Sequence, residues 1–404
     1  MKRLVLKFGG TSLGNTEKIK KVASIIKKRH KENNEIIIVV SAMSGVTNDL
    51  VKKANSISKN FDSKELDVLL SSGEQVSSSL LSGAIIDLGI KARSWLGWQV
   101  PIITDENHTT SKIIKIKTNE ILKYILNRGI AVIVGFQGIT KNDRITTLGR
   151  GGSDLSAVAI AKYFEADSCE IYTDVEGVLT TDPNINKKAK KIDKISYEEM
   201  LEMASLGAKV MQPSAVQASM IYDMPIHVRS TFSEKAGTEI VSEDNIDHKK
   251  SVTGIAYSKN NAKVSIVGVV DKPGVAADVF EPIGKNNINI DMVIQNTSLD
   301  GKIANITFTI KQEDLKKTLS IIEKNKKKIN YKKITHDEKL AKISIIGAGM
   351  ITSPGVTHKM FRSLANKKIN ILAIATSEIK ISVLVQEKFT QEAVKTLHKT
   401  FGLN

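Results

Sequence analysis

The first residues of the chain with chemical potential are Lys7, Gly9 and Gly10, which end the apolar run Leu4–Leu6 and precede Thr-Ser. An apolar run that breaks into glycines predicts a strand, a tight loop and a helix start. Because glycine has no Cβ, the backbone N–H groups of such a loop can approach a phosphate closely, and Lys7 would add positive charge. An ordinary turn fits the same residues, so this pattern is not decisive alone.

Four predicted strand ends carry polar, glycine-rich segments, at residues 41–47, 135–138, 146–154 and 172–183. The third reads T-T-L-G-R-G-G-S-D and leads into an apolar helix. Arg150 beside glycines at a helix start combines a charged fork with free N–H groups, which predicts an anion site. Each segment alone could be a simple loop, whereas four of them together indicate a ligand site.

The elements that would position these residues alternate between helix and strand. Asn15 or Thr16 can cap a helix whose apolar face has the spacing i, i+3, i+4, i+7, formed by Ile19, Val22, Ala23 and Ile26. The continuous apolar segment 36–40 is typical of a strand buried in a parallel sheet. The alternation predicts an α/β fold with helices on both faces of a mostly parallel sheet, whose ligands collect at the carboxyl ends of the strands.

Composition limits the function classes. The 404 residues predict two or three domains, and the net charge is +16. Only 8 of the 59 basic residues are arginine, and the lysines are dispersed without interleaved aromatics, so we expect neither a nucleic-acid nor a membrane partner. Cys169 is the single cysteine, which excludes an intrachain disulfide. No membrane-spanning run or signal peptide is recognisable, which predicts a cytoplasmic protein.

The C-terminal part of the chain repeats itself. Residues 262–268 (A-K-V-S-I-V-G) return at 341–347 as A-K-I-S-I-I-G, and Pro-Gly-Val at 273–275 returns at 354–356. The offset changes only from 79 to 81 residues, so these are two copies of one strand-loop-helix-strand unit. Each Pro-Gly loop could hold the charged groups of a small amino acid by backbone contacts. A duplicated dimerisation module fits the same residues, and both interpretations can be true. The polar residues 231–250 predict a linker before the repeats.

Taken together, these motifs resemble the monofunctional aspartokinases. The resemblance runs along nearly the whole chain and rests on the following segments: K-F-G-G-T-S at 7–12, V-S-A-M-S-G at 40–45, S-G-E at 72–74, G-F-Q-G at 135–138, T-T-L-G-R-G-G-S-D at 146–154, I-Y-T-D-V-E-G-V at 171–178 and the tandem repeat, which resembles paired ACT modules. The lysine-glycine start is shared with other amino acid kinases, and its combination with two ACT modules is more specific.

The resemblance implies an amino acid kinase domain at 1–230, a linker at 231–250, a first ACT module at 251–335 and a second at 336–404. The strand near 252–258 could also join the second module. It further implies ATP with Mg²⁺ as phosphoryl donor and L-aspartate as acceptor. The product, 4-phospho-L-aspartate, stands at the entry to lysine, threonine and methionine synthesis, the diaminopimelate pathway.

Residue roles follow from the same resemblance. It implies that the catalytic residues are Lys7, Gly9, Gly10, Asp174 and Lys209. It implies that the aspartate-binding residues are Ser41, Thr47, Glu74, Arg150, Gly151, Gly152 and Ser153. It implies that the nucleotide is bound by Lys7, Phe8, Gly9, Gly10, Thr173, Asp174, Leu179, Asp182 and Lys209. No separate set of metal ligands is identified.

In the ACT pair the resemblance implies a site for a feedback amino acid, lysine or threonine or both. The first-copy candidates are Asp271, Gly274, Val275, Ala276, Asn289, Asp291, Met292 and Gln295. The second-copy candidates are Thr357, Asn370, Thr376 and Glu378. Pairing of ACT modules between chains also implies a homodimer or a larger homo-oligomer.

Two other functions stay open on sequence alone. Another amino acid kinase, such as glutamate 5-kinase, shares the lysine-glycine start, although the ACT pair argues against it. A regulatory amino-acid-binding protein with an inactive kinase half is the alternative from another class, and the presence of Lys7, Arg150 and Asp174 argues against that.

Overall fold

The computed structural model of the protein describes residues 2–208, 210–246, 250–298 and 301–404. These residues divide into two compact units. The first comprises 2–179 and 191–246, and the second comprises 180–190 and 250–404. The second unit therefore includes a short segment whose neighbours on both sides in sequence belong to the first.

The first unit is built from alternating strands and helices, as the sequence predicts. Its strands are β1 (Arg3–Phe8), β2 (Glu35–Val40), β3 (Ala92–Trp95), β4 (Ile102–Thr104), β5 (Ile113–Ile116), β6 (Ile130–Val134), β7 (Gln137–Ile139), β8 (Ile145–Thr147), β9 (Ser168–Thr173), β10 (Lys194–Ser196), β11 (Ile226–Ser230) and β12 (Thr238–Val241). Its helices are α1 (Thr16–Lys31), α2 (Val46–Ile57), α3 (Ser63–Asp87), α4 (Asn119–Leu126), α5 (Gly152–Tyr163), α6 (Tyr197–Ser205) and α7 (Pro213–Tyr222).

Eight of these strands form one sheet in the order β10-β12-β11-β9-β1-β2-β6-β3. All neighbours are parallel except β11 and β12. Every residue of β2 and β6 is buried, as expected for strands covered by helices on both faces. The other four strands form a smaller sheet in the order β5-β4-β7-β8.

Helix α1 begins where the sequence predicts. The side chain of Asn15 accepts a hydrogen bond from the backbone N–H of Lys18 at 2.9 Å, which caps the helix. The apolar face of the helix is buried against β1 and β2 and consists of the predicted residues Ile19, Val22, Ala23 and Ile26. Packing of this face fixes the loop between β1 and α1 at the sheet edge.

The predicted linker at 231–250 differs from the structure. Residues Thr238–Val241 form β12, which pairs with β10 and β11 inside the large sheet. The buried side chains of Thr238 and Ile240 alternate with partly exposed ones, the pattern of a half-buried strand. Because this strand has only four residues, its alternation was hidden within a polar segment.

The second unit has a strand-rich architecture. Its strands are β13 (Gly254–Val270), β14 (Val293–Thr297), β15 (Ile303–Lys311), β16 (Lys333–Ile346), β17 (Ala373–Thr376) and β18 (Lys380–Gln386). Its helices are α8 (Val275–Gly284), α9 (Leu315–Lys324), α10 (Lys326–Ile329), α11 (Val356–Asn366) and α12 (Thr390–Thr400). One antiparallel sheet contains all six strands in the order β14-β15-β13-β16-β18-β17.

The sequence repeat corresponds to the two halves of this sheet. Each half has its own apolar core, one around Val264 and Phe308 and the other around Ile343 and Met360. The first part of β13, residues 254–258, pairs with β16, and Ile255 packs in the core of the second half. The long strand β13 therefore contributes to both modules.

The segment Thr180–Lys190 packs within the second unit. The Thr180 carbonyl accepts a hydrogen bond from the Ile255 N–H at 2.8 Å, and Ile185 joins the core of the second module. Buried His398 of α12 contacts the Thr180 hydroxyl through Nε2 at 2.8 Å. In the part of the chain that the structure describes, none of the helices is both long and apolar enough to cross a bilayer.

Candidate active site

The site lies at the carboxyl edge of the large sheet, where the loops after four neighbouring strands meet. Backbone hydrogen bonds join these loops directly. The Ser41 N–H donates to the Phe8 carbonyl at 3.1 Å, and the Gly135 N–H donates to the Val40 carbonyl at 2.9 Å. The strand order thus brings the polar segments at 9–15, 41–47 and 135–138 together, as ligand sites in α/β sheets require.

Lys7, the penultimate residue of β1, provides a buried positive charge at the site. Its ammonium nitrogen lies 2.5 Å from Oδ1 of Asp154, and the two side chains are only 10% and 12% exposed. The next residue, Phe8, stacks its ring on Tyr172 with ring centroids 4.7 Å apart. The ion pair with Asp154 restricts the position of the ammonium at the sheet edge.

Glu74, on α3, carries the buried anion. Its Oε1 accepts a hydrogen bond from the Ala42 N–H at 3.0 Å, and its Oε2 has no hydrogen-bond donor among the described residues. Burial raises the pKa of Glu74 to about 7, against the opposing influences of the Ala42 N–H and the Lys7 ammonium. A buried carboxylate with one oxygen that lacks a partner is suited to accept a cationic ligand group.

The loop after β1 follows the predicted course, with one correction. The Gly9 N–H donates to the Tyr172 carbonyl at 3.3 Å, because the ladder between β1 and β9 continues one residue past the strand. The sequence suggested that this N–H faces a phosphate, but in the structure it is used by the sheet and does not face a ligand. The Gly10 N–H has no acceptor among the described residues. A Cβ on Gly10 would lie 2.8 Å from the Ala42 carbonyl, so only glycine fits there.

The arginine of the candidate anion site stands in an exposed loop. Gly149 and Gly151, on either side of Arg150, have φ angles of 75° and 76°, in the left-handed region that favours glycine. A Cβ on Gly151 would lie 2.2 Å from the side chain of Gln212. The Arg150 side chain has no hydrogen bond or ion pair with any residue that the structure describes, so its fork is open to a ligand.

The small residues predicted for the aspartate pocket lie on the elements around this loop. Gly152 and Ser153 form the first turn of α5, and a Cβ on Gly135 would lie 3.0 Å from the Ser153 Cβ. Ser41 follows β2, and its carbonyl accepts a hydrogen bond from the Ser77 hydroxyl at 2.7 Å. Thr47 lies half-buried in the first turn of α2.

The predicted nucleotide residues occupy different places. Thr173 ends β9 and Asp174 follows it, and the Thr173 hydroxyl donates to the Asp174 carboxylate at 3.1 Å. Leu179 pairs with Lys191 in an isolated bridge. Asp182 belongs to the second unit, where its carboxylate accepts hydrogen bonds from the Tyr257 hydroxyl at 2.9 Å and the Asn184 N–H at 2.8 Å. Lys209 lies outside the described residues.

The acidic residues at this edge fit a metal ion that is bound together with a nucleotide. No group of three or more acidic, histidine or cysteine side chains that could hold a metal ion occurs among the residues described. Mg²⁺ bound with nucleotide phosphates needs only one or two protein carboxylates. The exposed carboxylate of Asp174, at the end of β9, fits that requirement.

Two features of the site were missed by sequence reasoning. Asp154 stands at the end of the segment 146–154, but its sequence position alone predicts no role, because only the fold brings it to Lys7. A second, fully buried carboxylate, Asp67, contacts His108 and Thr147 behind the Arg150 loop. Its partners are 41 and 80 residues away in sequence, so no local pattern could have indicated them.

The second unit contains a cavity of about 420 Å³ in its second module. Three of the four predicted second-copy residues line it, namely Thr357, Thr376 and Glu378, whereas Asn370 does not. The cavity also includes Pro354 and Gly355 of the repeated Pro-Gly loop. The structure thus brings the predicted loop and acidic side chain of this module to one concave surface.

The first-copy candidates are more dispersed. Gly274 caps α8 with a φ of 92°, followed by buried Val275 and half-buried Ala276. Asp291 forms an ion pair with Lys342, and Met292 packs in a small apolar cluster with Leu340. The remaining candidates are at least partly exposed: Asp271, Asn289 and Gln295.

Comparison with known proteins agrees with this architecture. Residues 2–230 match the model of the amino acid kinase family, and residues 264–326 and 343–401 each match an ACT domain. The aspartokinase of Pseudomonas aeruginosa is 44% identical over all of this chain and 98% of its own. The chain belongs to the aspartokinase family.

Other aspartokinases support the same assignment. Aspartokinase 2 of Bacillus subtilis is 42% identical, with 99% of this chain and 98% of its own covered. The crystal structure of Clostridium acetobutylicum aspartate kinase superposes with a TM-score of 0.82 at 25% identity, covering 98% of this chain and all of that one. The sequence-based prediction of the family and of its amino acid kinase and ACT folds is therefore confirmed.

Proposed function

We propose that this protein transfers the γ-phosphoryl group of ATP to the side-chain carboxylate of L-aspartate, giving 4-phospho-L-aspartate and ADP. One observation carries the proposal: buried Lys7, near the end of β1, and buried Glu74, which is bound to the loop after the neighbouring strand β2, lie at one sheet edge, and the Glu74 Oε2 has no hydrogen-bond partner among the described residues. Aspartokinases of 42–44% identity along the whole chain support it. Both substrates are cytoplasmic metabolites, so we expect the reaction in the cytoplasm.

The acceptor needs no general base. The side chain of aspartate has a pKa of about 3.9, so the attacking carboxylate is already ionised at neutral pH. The difficulty is to bring this anion to the negatively charged phosphoryl group. Catalysis must therefore come from positioning and from cationic stabilisation of the charge on the transferring group.

Oppositely charged side chains would orient aspartate. The open Oε2 of Glu74 accepts the substrate ammonium, and the Arg150 guanidinium grips a carboxylate through two N–H groups. The remaining contacts come from small polar residues around the pocket, which are Ser41, Thr47, Gly151, Gly152 and Ser153. This arrangement leaves the reacting carboxylate directed towards the Lys7 side of the sheet edge.

On the nucleotide side, Lys7 stabilises the charge on the transferring phosphoryl group while Asp154 holds its ammonium in place. The Gly10 N–H is the backbone donor of the loop, and Asp174 takes part in holding the Mg²⁺ that arrives with ATP. The metal neutralises phosphate charge when bound. The other residues that we assign to the nucleotide are Phe8, Thr173, Leu179, Asp182 and Lys209.

The proposal is tested by measuring ADP release from ATP with aspartate, glutamate or UMP as acceptor. We expect turnover with aspartate and almost none with the other two. Turnover with glutamate instead would indicate a glutamate 5-kinase-like enzyme. A folded protein that binds lysine or threonine but shows no aspartate-dependent turnover would indicate an amino-acid sensor without kinase activity.

We further propose that lysine or threonine inhibits the enzyme by binding to the ACT modules. The cavity with Glu378 supports this proposal, because its acidic side chain can pair with the ammonium of an amino acid. The Pro-Gly loop beside it supplies backbone groups for the α-carboxylate. Titration of each amino acid, alone and together, into the kinase assay identifies the inhibitor and shows whether inhibition is concerted.

We also propose that the ACT modules pair between chains to form a homodimer or a larger assembly. Val293 and Ile374 occupy equivalent positions of the repeat on the two edge strands, β14 and β17, and are 50% and 40% exposed. Apolar side chains on open sheet edges favour pairing with another chain. Light scattering of Val293→Asp with Ile374→Asp should give a smaller mass than the unmodified chain, and an unchanged mass would contradict pairing through these strands.

A further inference from the structure

We infer that Asp67 is a positioning residue for aspartate binding: it fixes the backbone from which Arg150 extends. The inference rests on the proposed role of Arg150 and adds to it a residue two helical turns before Glu74 on α3. Asp67 is fully buried, and among the described residues its hydrogen-bond partners are His108, Thr109 and Thr147, not Lys7 or Glu74. Its action on the substrate is therefore indirect.

The carboxylate of Asp67 joins two segments on either side of the arginine loop. Its Oδ1 accepts a hydrogen bond from the Thr147 hydroxyl at 2.6 Å. Its Oδ2 lies 2.7 Å from His108 Nδ1, and both oxygens lie 3.1 Å from the Thr109 N–H. A buried carboxylate needs such donors, and here all of them belong to the segments at 108–109 and 147.

The segment at 108–111 is held in an unfavourable conformation. Thr109 has a φ of 69°, which is rare for a β-branched residue and persists only where the surroundings impose it. Its N–H is the one bound by Asp67. The Ser111 N–H donates to the Thr147 carbonyl at 2.9 Å, which closes the segment against β8.

This conformation has a direct consequence for the arginine loop. A Cβ on Gly149 would lie 3.1 Å from the Thr109 carbonyl, so the backbone of Gly149 packs against the strained segment. Arg150 follows immediately. Because Asp67 holds Thr147 and Gly149 packs against the Thr109 carbonyl, the backbone that leads into Arg150 is fixed, which lowers the entropic cost of gripping a carboxylate.

The test uses Thr147→Val, which keeps the shape of the side chain and removes the donor to Asp67. We expect KM for aspartate to rise about tenfold, with KM for ATP and kcat changed by less than about twofold. Thr147→Ser keeps the hydroxyl and should restore the KM for aspartate. Asp67→Asn should act in the same direction if it folds, as judged by thermal unfolding.

Glu65→Gln is the matched control. Glu65 lies on α3 close to Asp67 and pairs with Arg144 of the segment before β8 at 2.7 Å, but it is exposed and does not reach Thr147 or Thr109. Its KM for aspartate should equal that of the unmodified enzyme. If Glu65→Gln raised KM for aspartate as much as Thr147→Val, the loss of any contact between α3 and the segment before Arg150 would be enough to weaken aspartate binding. That result would overturn the inference.

A double-mutant cycle separates this inference from the proposed function. In an Arg150→Ala background, Thr147→Val should add less than about a twofold change in KM for aspartate, because the group that it positions is gone. If Thr147→Val raises KM for aspartate tenfold in the Arg150→Ala background, or has no effect in the unmodified enzyme, the inference is overturned while the proposed function stands. An unchanged KM in Arg150→Ala itself overturns both the role of Arg150 and the inference.

Discussion

The Lys7 ammonium lies 2.5 Å from the Asp154 carboxylate, between the end of β1 and the first turn of α5. Both groups are almost completely shielded from water, so the pair is stable only in a restricted geometry. This contact gives the ammonium a fixed position before any substrate binds. A fixed cation stabilises the charge of a transition state without reorganisation during the reaction.

Lys7→Met is expected to lower kcat by about 10²-fold or more, because methionine keeps the length of the side chain and removes the charge. KM for aspartate should change by less than about threefold, since the proposed role of Lys7 is to act on the phosphoryl group. Steady-state kinetics with both substrates varied provides the measurement. Lys20→Met, on the exposed side of α1, is the control and should leave both constants unchanged. A Lys7→Met enzyme with normal kcat would refute the assignment.

Glu74 predicts a pH dependence of aspartate binding. Its pKa is raised to about 7 by burial, so in the free enzyme the carboxylate becomes protonated as the pH falls through 7. The protonated form cannot pair with the substrate ammonium, so kcat/KM for aspartate should fall between pH 8 and pH 6 by about tenfold. Glu74→Gln should lower kcat/KM at pH 8 and remove this inflection. An inflection that persists in Glu74→Gln belongs to another group.

The same shift makes a separate prediction about stability. Because the folded-state pKa of Glu74 lies above its ordinary value of 4.5, the folded protein takes up this proton more readily than the unfolded chain. The contribution of Glu74 therefore favours folding increasingly as the pH falls from about 7 to 4.5. At pH 8 Glu74→Gln should unfold at a higher temperature than the unmodified protein, and a lower unfolding temperature would contradict the burial argument.

Arg150→Ala is expected to raise KM for aspartate by about 10²-fold, since it removes the bidentate grip on a carboxylate that we propose for Arg150. KM for ATP should change by less than about threefold. Arg150→Lys keeps the charge without the planar fork and should recover only part of the affinity. Equal effects on the two KM values would contradict the assignment of Arg150 to the aspartate side.

Much of the active site could be predicted from sequence because its parts are local. The glycine loop after Lys7 and the segment around Arg150 carry their chemistry within a few residues. The alternation of strands and helices places the first at the carboxyl edge of the large sheet, whereas the second follows β8 of the smaller sheet and meets Lys7 through Asp154. The resemblance to aspartokinases added Glu74, whose burial and open oxygen no local pattern shows.

What sequence could not supply depends on long-range contacts. Asp154 reaches Lys7 across 147 positions, and Asp67 reaches Thr147 across 80. The prediction that the Gly9 N–H faces a phosphate was wrong, because the direction of this N–H depends on how far the hydrogen-bond ladder between β1 and β9 extends. The strand β12 was missed for a similar reason, since four residues acquire their structure only from the strands on either side.

Glu378→Gln is expected to weaken inhibition by the feedback amino acid without loss of catalysis. Glu378 lines the cavity of the second ACT module, and the loss of its charge removes a partner for the ligand ammonium. The concentration of lysine or threonine that halves activity should rise about tenfold or more, with kcat unchanged. Glu392→Gln, an exposed acid on α12 of the same module, is the control and should keep normal inhibition. Normal inhibition of Glu378→Gln by every amino acid tested would place the effector elsewhere.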